Sequence, residues 1–106
     1  MEILRGITAS RGKIEGEVFL SENSSDLSSF RDGSILVARA TNPLYATCMA
    51  RAGGVITDIG GITYHAAISA REFKIPCLVG TGNASKILKT GQKIILDADN
   101  GVVFEK

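Results

Sequence analysis

The sequence has one histidine, His65, among 106 residues. Imidazole chemistry is therefore at that position or absent. It has two cysteines, Cys48 and Cys77, far apart in the chain, with no second histidine and no paired-cysteine motif. That spacing argues against a structural zinc site, and both read as small, reduced core residues. No Gly-Lys-Ser or Gly-Lys-Thr occurs, so there is no phosphate loop of that type. Gly80-Thr81-Gly82-Asn83-Ala84-Ser85 comes near the dinucleotide fingerprint, but Ser85 stands where a third glycine or alanine belongs. Only a short helix follows it, so the stretch reads as a turn. There is no lysine- or arginine-rich block and no aromatic stacking platform, and the net charge is +1, so neither nucleic acid nor an acidic membrane surface is an expected partner. No apolar run is long enough to cross a bilayer, and no basic start with an apolar middle marks a signal peptide. The expected compartment is the cytoplasm. Internal repeats and low-complexity tracts are lacking too, although Ser21 to Ser29 is polar and serine-rich.

What is present fits one domain, residues 1–106, with one modest core. Glu2 to Thr8 reads as a first short strand. Gly6, Gly12 and Gly16 then predict turns and a hairpin, and Glu17 to Leu20 a second strand. Ser21 to Phe30 is read mainly as a surface connection with room for one helical turn. Asp32-Gly33 is a turn, and Ser34 to Ala38 a buried apolar strand. Asn42 is a good helix cap and Pro43 fits the first helical position, where its missing amide costs nothing. Leu44, Cys48 and Arg51 follow at helical spacing, and Gly53-Gly54 ends that helix. Gly53 to Thr57 and Cys77 to Val79 read as buried strands, Ala84 to Leu88 as a short helix, and Lys93 to Leu96 and Val102 to Phe104 as strands joined by an Asp99-Asn100-Gly101 turn. Strands outnumber helices and alternate with them irregularly, which a regular βαβ array would not do. The expected fold class is α/β, with strands in two small sheets or one curled sheet and two or three short helices covering it.

The chain is organised around Gly60-Gly61-Ile62-Thr63-Tyr64-His65-Ala66-Ala67. Asp58-Ile59-Gly60-Gly61 breaks the preceding strand, and two adjacent glycines permit unusual backbone angles and close approach of another group. From about Thr63 the composition turns helical, and Thr63 is the expected N-cap. Pro76 stops the helix and predicts extended Lys74-Ile75 before it. His65 then lies in the first turn of a helix. That position disfavours a cation, so the imidazole leans to its neutral form with one free lone pair, which is what a nucleophile toward phosphorus needs. The open amides of the same turn suit an anion. Asp58 either orients the imidazole or caps the turn at the strand end. Arg71 either contacts a phosphoryl oxygen or forms a salt bridge. A hydrolase triad of Ser69, His65 and Asp58 is disfavoured, because Ser69 lacks a Gly-x-Ser-x-Gly elbow and lies inside a helix.

The run from Gly60-Gly61-Ile62-Thr63-Tyr64-His65-Ala66-Ala67 through Ala70-Arg71-Glu72 to Ile75-Pro76 resembles the phosphohistidine segment of the phosphoenolpyruvate-utilising enzymes, in their synthase and dikinase branch. Gly6 to Gly16, Val37 to Pro43 and Gly91 to Gly101 share the likeness, so it spans nearly the whole chain. The resemblance implies a mobile, swivelling domain of β/β/α layers. Its histidine, matched by His65, takes a phosphoryl group at a nucleotide site and delivers it at a pyruvate or phosphoenolpyruvate site. It implies partners: an ATP-grasp nucleotide-binding domain and a phosphoenolpyruvate-binding barrel, in a parent chain or as separate subunits. ATP and magnesium belong to those partners, with no cofactor or metal held by this chain. On this view the chain is part of a phosphotransferase and not a complete enzyme alone. Thr63 matches a regulatory phosphorylation site of that branch, an alternative to its capping role. Tyr64 departs from the small serine or cysteine common there and alters access to His65. The competing reading is a non-catalytic binding or regulatory module that retains the fold.

Overall fold

The computed structural model describes Met1–Lys106, apart from the Ser24 side chain. Eight strands are present: β1 (Glu2–Arg5), β2 (Ile7–Ser10), β3 (Lys13–Ser21), β4 (Ile35–Ala38), β5 (Gly54–Thr57), β6 (Cys77–Val79), β7 (Lys93–Asp97) and β8 (Val102–Glu105). Three helices, α1 (Ala46–Met49), α2 (His65–Phe73) and α3 (Ala84–Ile87), join them, with 3-10 turns at Ser24–Ser29 and Pro43–Tyr45.

The strand order is β1-β8-β7-β3-β4-β5-β6-β2. Strand β3 belongs to both halves of this sheet. Its first part, Lys13 to Glu17, runs antiparallel to β7. Its second part, Val18 to Ser21, runs parallel to β4. The segment read as glycine-punctuated turns is thus a continuous strand through Gly16. The expected first strand is in fact two. The chain breaks at Gly6, and β1 and β2 occupy opposite ends of the strand order. Consecutive strands at the two ends require the sheet to curl until its ends meet. Gly6 sits at that closure: its amide donates to the Gly101 carbonyl at 3.1 Å, and a Cβ there would stand 2.7 Å from the Val79 carbonyl oxygen. Only glycine fits so close to a neighbouring backbone.

The curl makes two β layers. Leu4, Val18, Ile35, Val37, Ile56, Leu78, Ile94, Leu96 and Val103 fill the space between them, with Ala84 and Leu88 of the α3 segment at its end. A second core lies between β4, β5, β6 and the helices: Leu36, Ala38, Val55, Cys77 and Val79 meet Tyr45, Cys48, Met49, Ala66, Ala67 and Ala70. Alternate residues of β4 therefore face different cores. A parallel strand covered on both faces reads as one continuous apolar run for this reason. The result is the β/β/α layering that the family resemblance implied, built as one curled sheet. Truncating a fully buried residue such as Ile56 or Leu78 to alanine would cost about 2–5 kcal/mol.

The expected caps are partly realised. Asn42 accepts from the Leu44 amide at 2.9 Å ahead of Pro43, although the first turn is 3-10 and becomes α only at Ala46. Asn23 caps the Ser24–Ser29 turn in the same way. Lys74 is not extended. It closes α2 in the left-handed region, φ 60 and ψ 42, and the Ile75 amide turns back to the Ala70 carbonyl at 3.0 Å. At the β7–β8 turn, the Asn100 side chain donates to Asp97 Oδ2 at 2.9 Å and holds that carboxyl below its usual range.

Candidate functional site

Strands β4 and β5 pair in parallel, with Ala38 opposite Thr57. The loops leaving their carboxyl ends are therefore neighbours. The Asp58 and Ile59 amides continue the ladder to the Ala38 and Arg39 carbonyls at 3.2 and 3.0 Å. One loop then carries Thr41 and the other carries the Gly60-to-Tyr64 turn into α2.

Gly60 adopts φ +125, a conformation L side chains rarely reach. Gly61 does not share it, and a Cβ on Gly61 would find nothing nearer than Tyr64 Cδ1 at 3.9 Å. Only the first glycine of the pair is demanded by backbone geometry; the second leaves open space beside the turn. The Tyr64 amide returns to the Gly61 carbonyl at 3.1 Å, and the Tyr64 carbonyl accepts from Ile68 as the helix begins. Tyr64 is therefore the N-cap residue, with extended backbone and no side-chain cap. The expectation that Thr63 caps the helix is overturned. Its side chain is exposed, one residue too early to reach the first-turn amides.

His65 is the first residue of α2 and is half-buried. Its Nδ1 lies 2.9 Å from Thr41 Oγ1. Its Nε2 lies 3.2 Å from Ser69 Oγ. Both ring nitrogens are thus held by hydroxyls, which donate or accept as the tautomer demands. No carboxylate touches the ring among the described residues. The amides of His65, Ala66 and Ala67 have no hydrogen-bond partner among the described residues, as expected for a helix start without a cap. Close to His65 in sequence, Ile62, Tyr64 and Ile68 present apolar side chains that are 56, 60 and 51 % exposed.

Two expected residues are placed differently. Asp58 does not reach the imidazole. It accepts from the Ser85 amide at 2.7 Å and from the Ser85 hydroxyl, so it caps α3 and ties that helix to the end of β5. The imagined Ser-His-Asp triad therefore has its serine and histidine in contact but no acid. Arg71 makes no salt bridge among the described residues. Its Nη1 donates to the Ala9 carbonyl at 3.1 Å and its Nη2 to the Ile62 carbonyl at 2.6 Å, so it braces the Gly60–Tyr64 turn against β2. Thr41 was missed as a site residue because its sequence context, before Asn42-Pro43, reads only as a helix start. Burial pushes the Cys77 thiol up to about 12, against a smaller opposing pull from Arg71, so Cys77 is an inert core thiol. No cluster of three or more metal-ligating side chains occurs among the described residues.

Residues 30–101 match the family described as PEP-utilising enzyme, mobile domain. The chain belongs to that family. A probable phosphoenolpyruvate synthase of Methanothermobacter thermautotrophicus is 44% identical over 103 residues, covering 97% of this chain and 15% of that protein. The phosphoenolpyruvate synthase of Pyrococcus furiosus is also 44% identical over 103 residues, covering 97% of this chain and 13% of its own length. The chain thus spans about a seventh of these relatives. Among solved structures, an Enzyme I solution structure aligns with TM-score 0.65 and 34% identity over 76% of this chain and 34% of that one. Thermococcus kodakaraensis aconitase X aligns with TM-score 0.73 and 25% identity, covering 97% of each chain. No helix among the described residues is long and apolar enough to cross a membrane.

Proposed function

We propose that this chain is a phosphoryl carrier in which His65 is transiently phosphorylated. It would receive the group at a nucleotide site and give it up at a pyruvate or phosphoenolpyruvate site, both on partner domains or subunits in the cytoplasm. The observation that carries the reading is the setting of His65: a half-buried imidazole at the first position of α2, both nitrogens on neutral hydroxyls and no carboxylate beside it. With Nδ1–H donating to Thr41, the Nε2 lone pair is the nucleophile. The open amides of the first turn and the positive helix end suit the anionic group once it arrives. The exposed Ile62, Tyr64 and Ile68, close to His65 in sequence, suit docking against a partner's active-site rim.

The partners under this proposal are an ATP-grasp domain and a phosphoenolpyruvate-binding barrel. Both half-reactions need a metal clamp on the transferring group, so ATP and magnesium are assigned to those partners. The size of the relatives, of which this chain is about a seventh, leaves room for such domains. Thr63, exposed and two residues before His65, is available to a regulatory kinase. Phosphate there would set negative charge beside the incoming group and oppose transfer.

The test is incubation with a histidine-directed phosphodonor, followed by intact-mass measurement. An acid-labile, alkali-stable adduct is expected on the wild type, lost in His65→Ala and kept in Thr63→Ala. The alternative, a binding module that retains the fold, predicts no adduct at all. It is kept in view because aconitase X shows the same fold in a chain of the same extent.

A further inference from the structure

Resting on the carrier reading above, we propose that Ser69 is a second functional side chain of the site. Its hydroxyl holds the Nε2 edge of His65 in the resting chain and passes its hydrogen bond to the phosphoryl group once Nε2 is loaded. Ser69 lies one turn after His65 on the same face of α2 and is 8 % exposed. The neighbouring buried positions of that helix, Ala66, Ala67 and Ala70, are all alanine. Alanine at position 69 would pack equally well without a hydroxyl to desolvate. A helical serine commonly returns its proton to the carbonyl four residues back. Here the hydrogen bond found for Ser69 Oγ goes instead to the imidazole, Nε2 at 3.2 Å.

The chemistry follows from the two hydroxyls. Thr41 accepts from Nδ1–H, so Ser69 donates to the Nε2 lone pair. When Nε2 attacks the phosphorus of a phosphoric anhydride or a phosphoenol ester, an N–P bond forms. The P–O bond to the leaving oxygen breaks, and that oxygen takes the electron pair, while Nδ1 keeps its proton. The Ser69 proton, displaced from the lone pair, remains beside the new bond and donates to an anionic phosphoryl oxygen. A neutral hydrogen bond is exchanged for a charge-assisted one, which is roughly twice as strong. Ser69 thus favours the loaded state over the empty one, which is what a carrier needs between two encounters. Ser69 does not itself take the group. It sits beside Nε2, whereas in-line displacement requires the entering oxygen across the phosphorus from the leaving nitrogen.

The experiment uses 15N-labelled chain in two steps. In the unphosphorylated protein at alkaline pH, ring 15N shifts report the tautomer and the lone-pair contact. Ser69→Ala is expected to move Nε2 toward the shift of an unbonded lone pair while Nδ1 stays put, and Ser69→Thr, which keeps a hydroxyl, to move it less. The proteins are then loaded with phosphoramidate and followed by 31P NMR. Ser69→Ala is expected to hold the phosphoryl group on Nε2 roughly fivefold less well, in loaded fraction or lifetime. A wild type that takes no phosphoryl group sinks the carrier reading and this role with it, whatever the ring shifts say. A wild type that loads normally, beside a Ser69→Ala variant with the same Nε2 shift and the same lifetime, sinks the role of Ser69 alone. An adduct on Nδ1 does so as well.

Discussion

Removing the Arg71 guanidinium should loosen the turn that carries the site before it affects any chemistry. Arg71 joins three elements: it grows from α2, donates to the Ala9 carbonyl in β2 at 3.1 Å, and donates to the Ile62 carbonyl of the turn at 2.6 Å. A hydrogen bond from a charged donor is worth about 1.5–3 kcal/mol when sheltered. Arg71 is exposed and water competes for both ends, so about 1–2 kcal/mol for the pair is the figure to expect. For a domain near this size that is a fall in Tm of about 5–10 °C in Arg71→Ala. Arg71→Lys should recover only part of it, because one ammonium does not fork between two carbonyls. Thermal unfolding gives the first number, and amide exchange at residues 62–65 locates the loosened segment. If Tm and protection stay at wild-type values while phosphoryl uptake collapses, Arg71 acts on the phosphoryl group and the bracing argument is wrong.

Thr41→Val keeps the shape of the side chain but strands Nδ1, and should cut phosphoryl uptake by His65 roughly fivefold while leaving the fold intact; 15N shifts that show no change in tautomer would refute it. Gly60→Ala forces an L side chain to φ +125 and should cost about 1–3 kcal/mol by denaturant melt, whereas Gly61→Ala should melt like wild type. Any effect of Gly61→Ala should appear in phosphoryl transfer alone. Cys77, with its thiol raised to about 12 by burial, should resist alkylation at pH 8 until the chain unfolds. Its raised value also sets a sign. The unfolded thiol ionises near its ordinary value of about 8.5 and the native one does not, so stability is intact below that pH and falls as pH climbs toward about 12. Cys77→Ala should flatten that alkaline limb.

The local features were legible because local physics sets them. The Asn42-Pro43 start, the buried runs at Ile35–Ala38 and Gly54–Thr57, and the break at Gly60 all depend on neighbours in sequence. What escaped depends on the curl. Nothing near Gly6 says that the strand must stop and resume at the opposite end of the sheet, since that is decided by where Gly101 and Val79 arrive. Gly16 passes through the middle of β3 because the strand is long enough to serve two layers. The capping error at Thr63 has the same character. Hydroxyl chemistry made Thr63 the obvious cap, but the tight Tyr64-to-Gly61 hydrogen bond sets the helix start one residue later.

The position of Thr41 carries the general lesson about the site. It is 24 residues from His65 and touches it only because β4 and β5 are adjacent and parallel, so that both chains leave the sheet at the same end. Ligand sites in sheets with parallel strands tend to gather outside those carboxyl ends for the same geometric reason. Here the third parallel strand, β6, adds its own loop: the Thr81 and Gly82 amides bind the Thr57 and Asp58 carbonyls at 3.2 and 2.9 Å. Three loops thus buttress one another, and Asp58 fastens α3 to the middle one through Ser85. Under the carrier proposal, a histidine that visits two distant active sites has to keep its ring geometry while the whole domain moves. Fixing Thr41, His65 and Ser69 to elements that share one sheet end would let such a carrier travel as a rigid body with its nucleophile already oriented. Lengthening the Gly60–Tyr64 turn by one glycine tests this: it should leave most of the core untouched, abolish the Thr41–His65 contact, and reduce phosphoryl uptake at least as far as Thr41→Val does. An insertion that loads like wild type would show that the orientation of the ring is set by the partner and not by this chain.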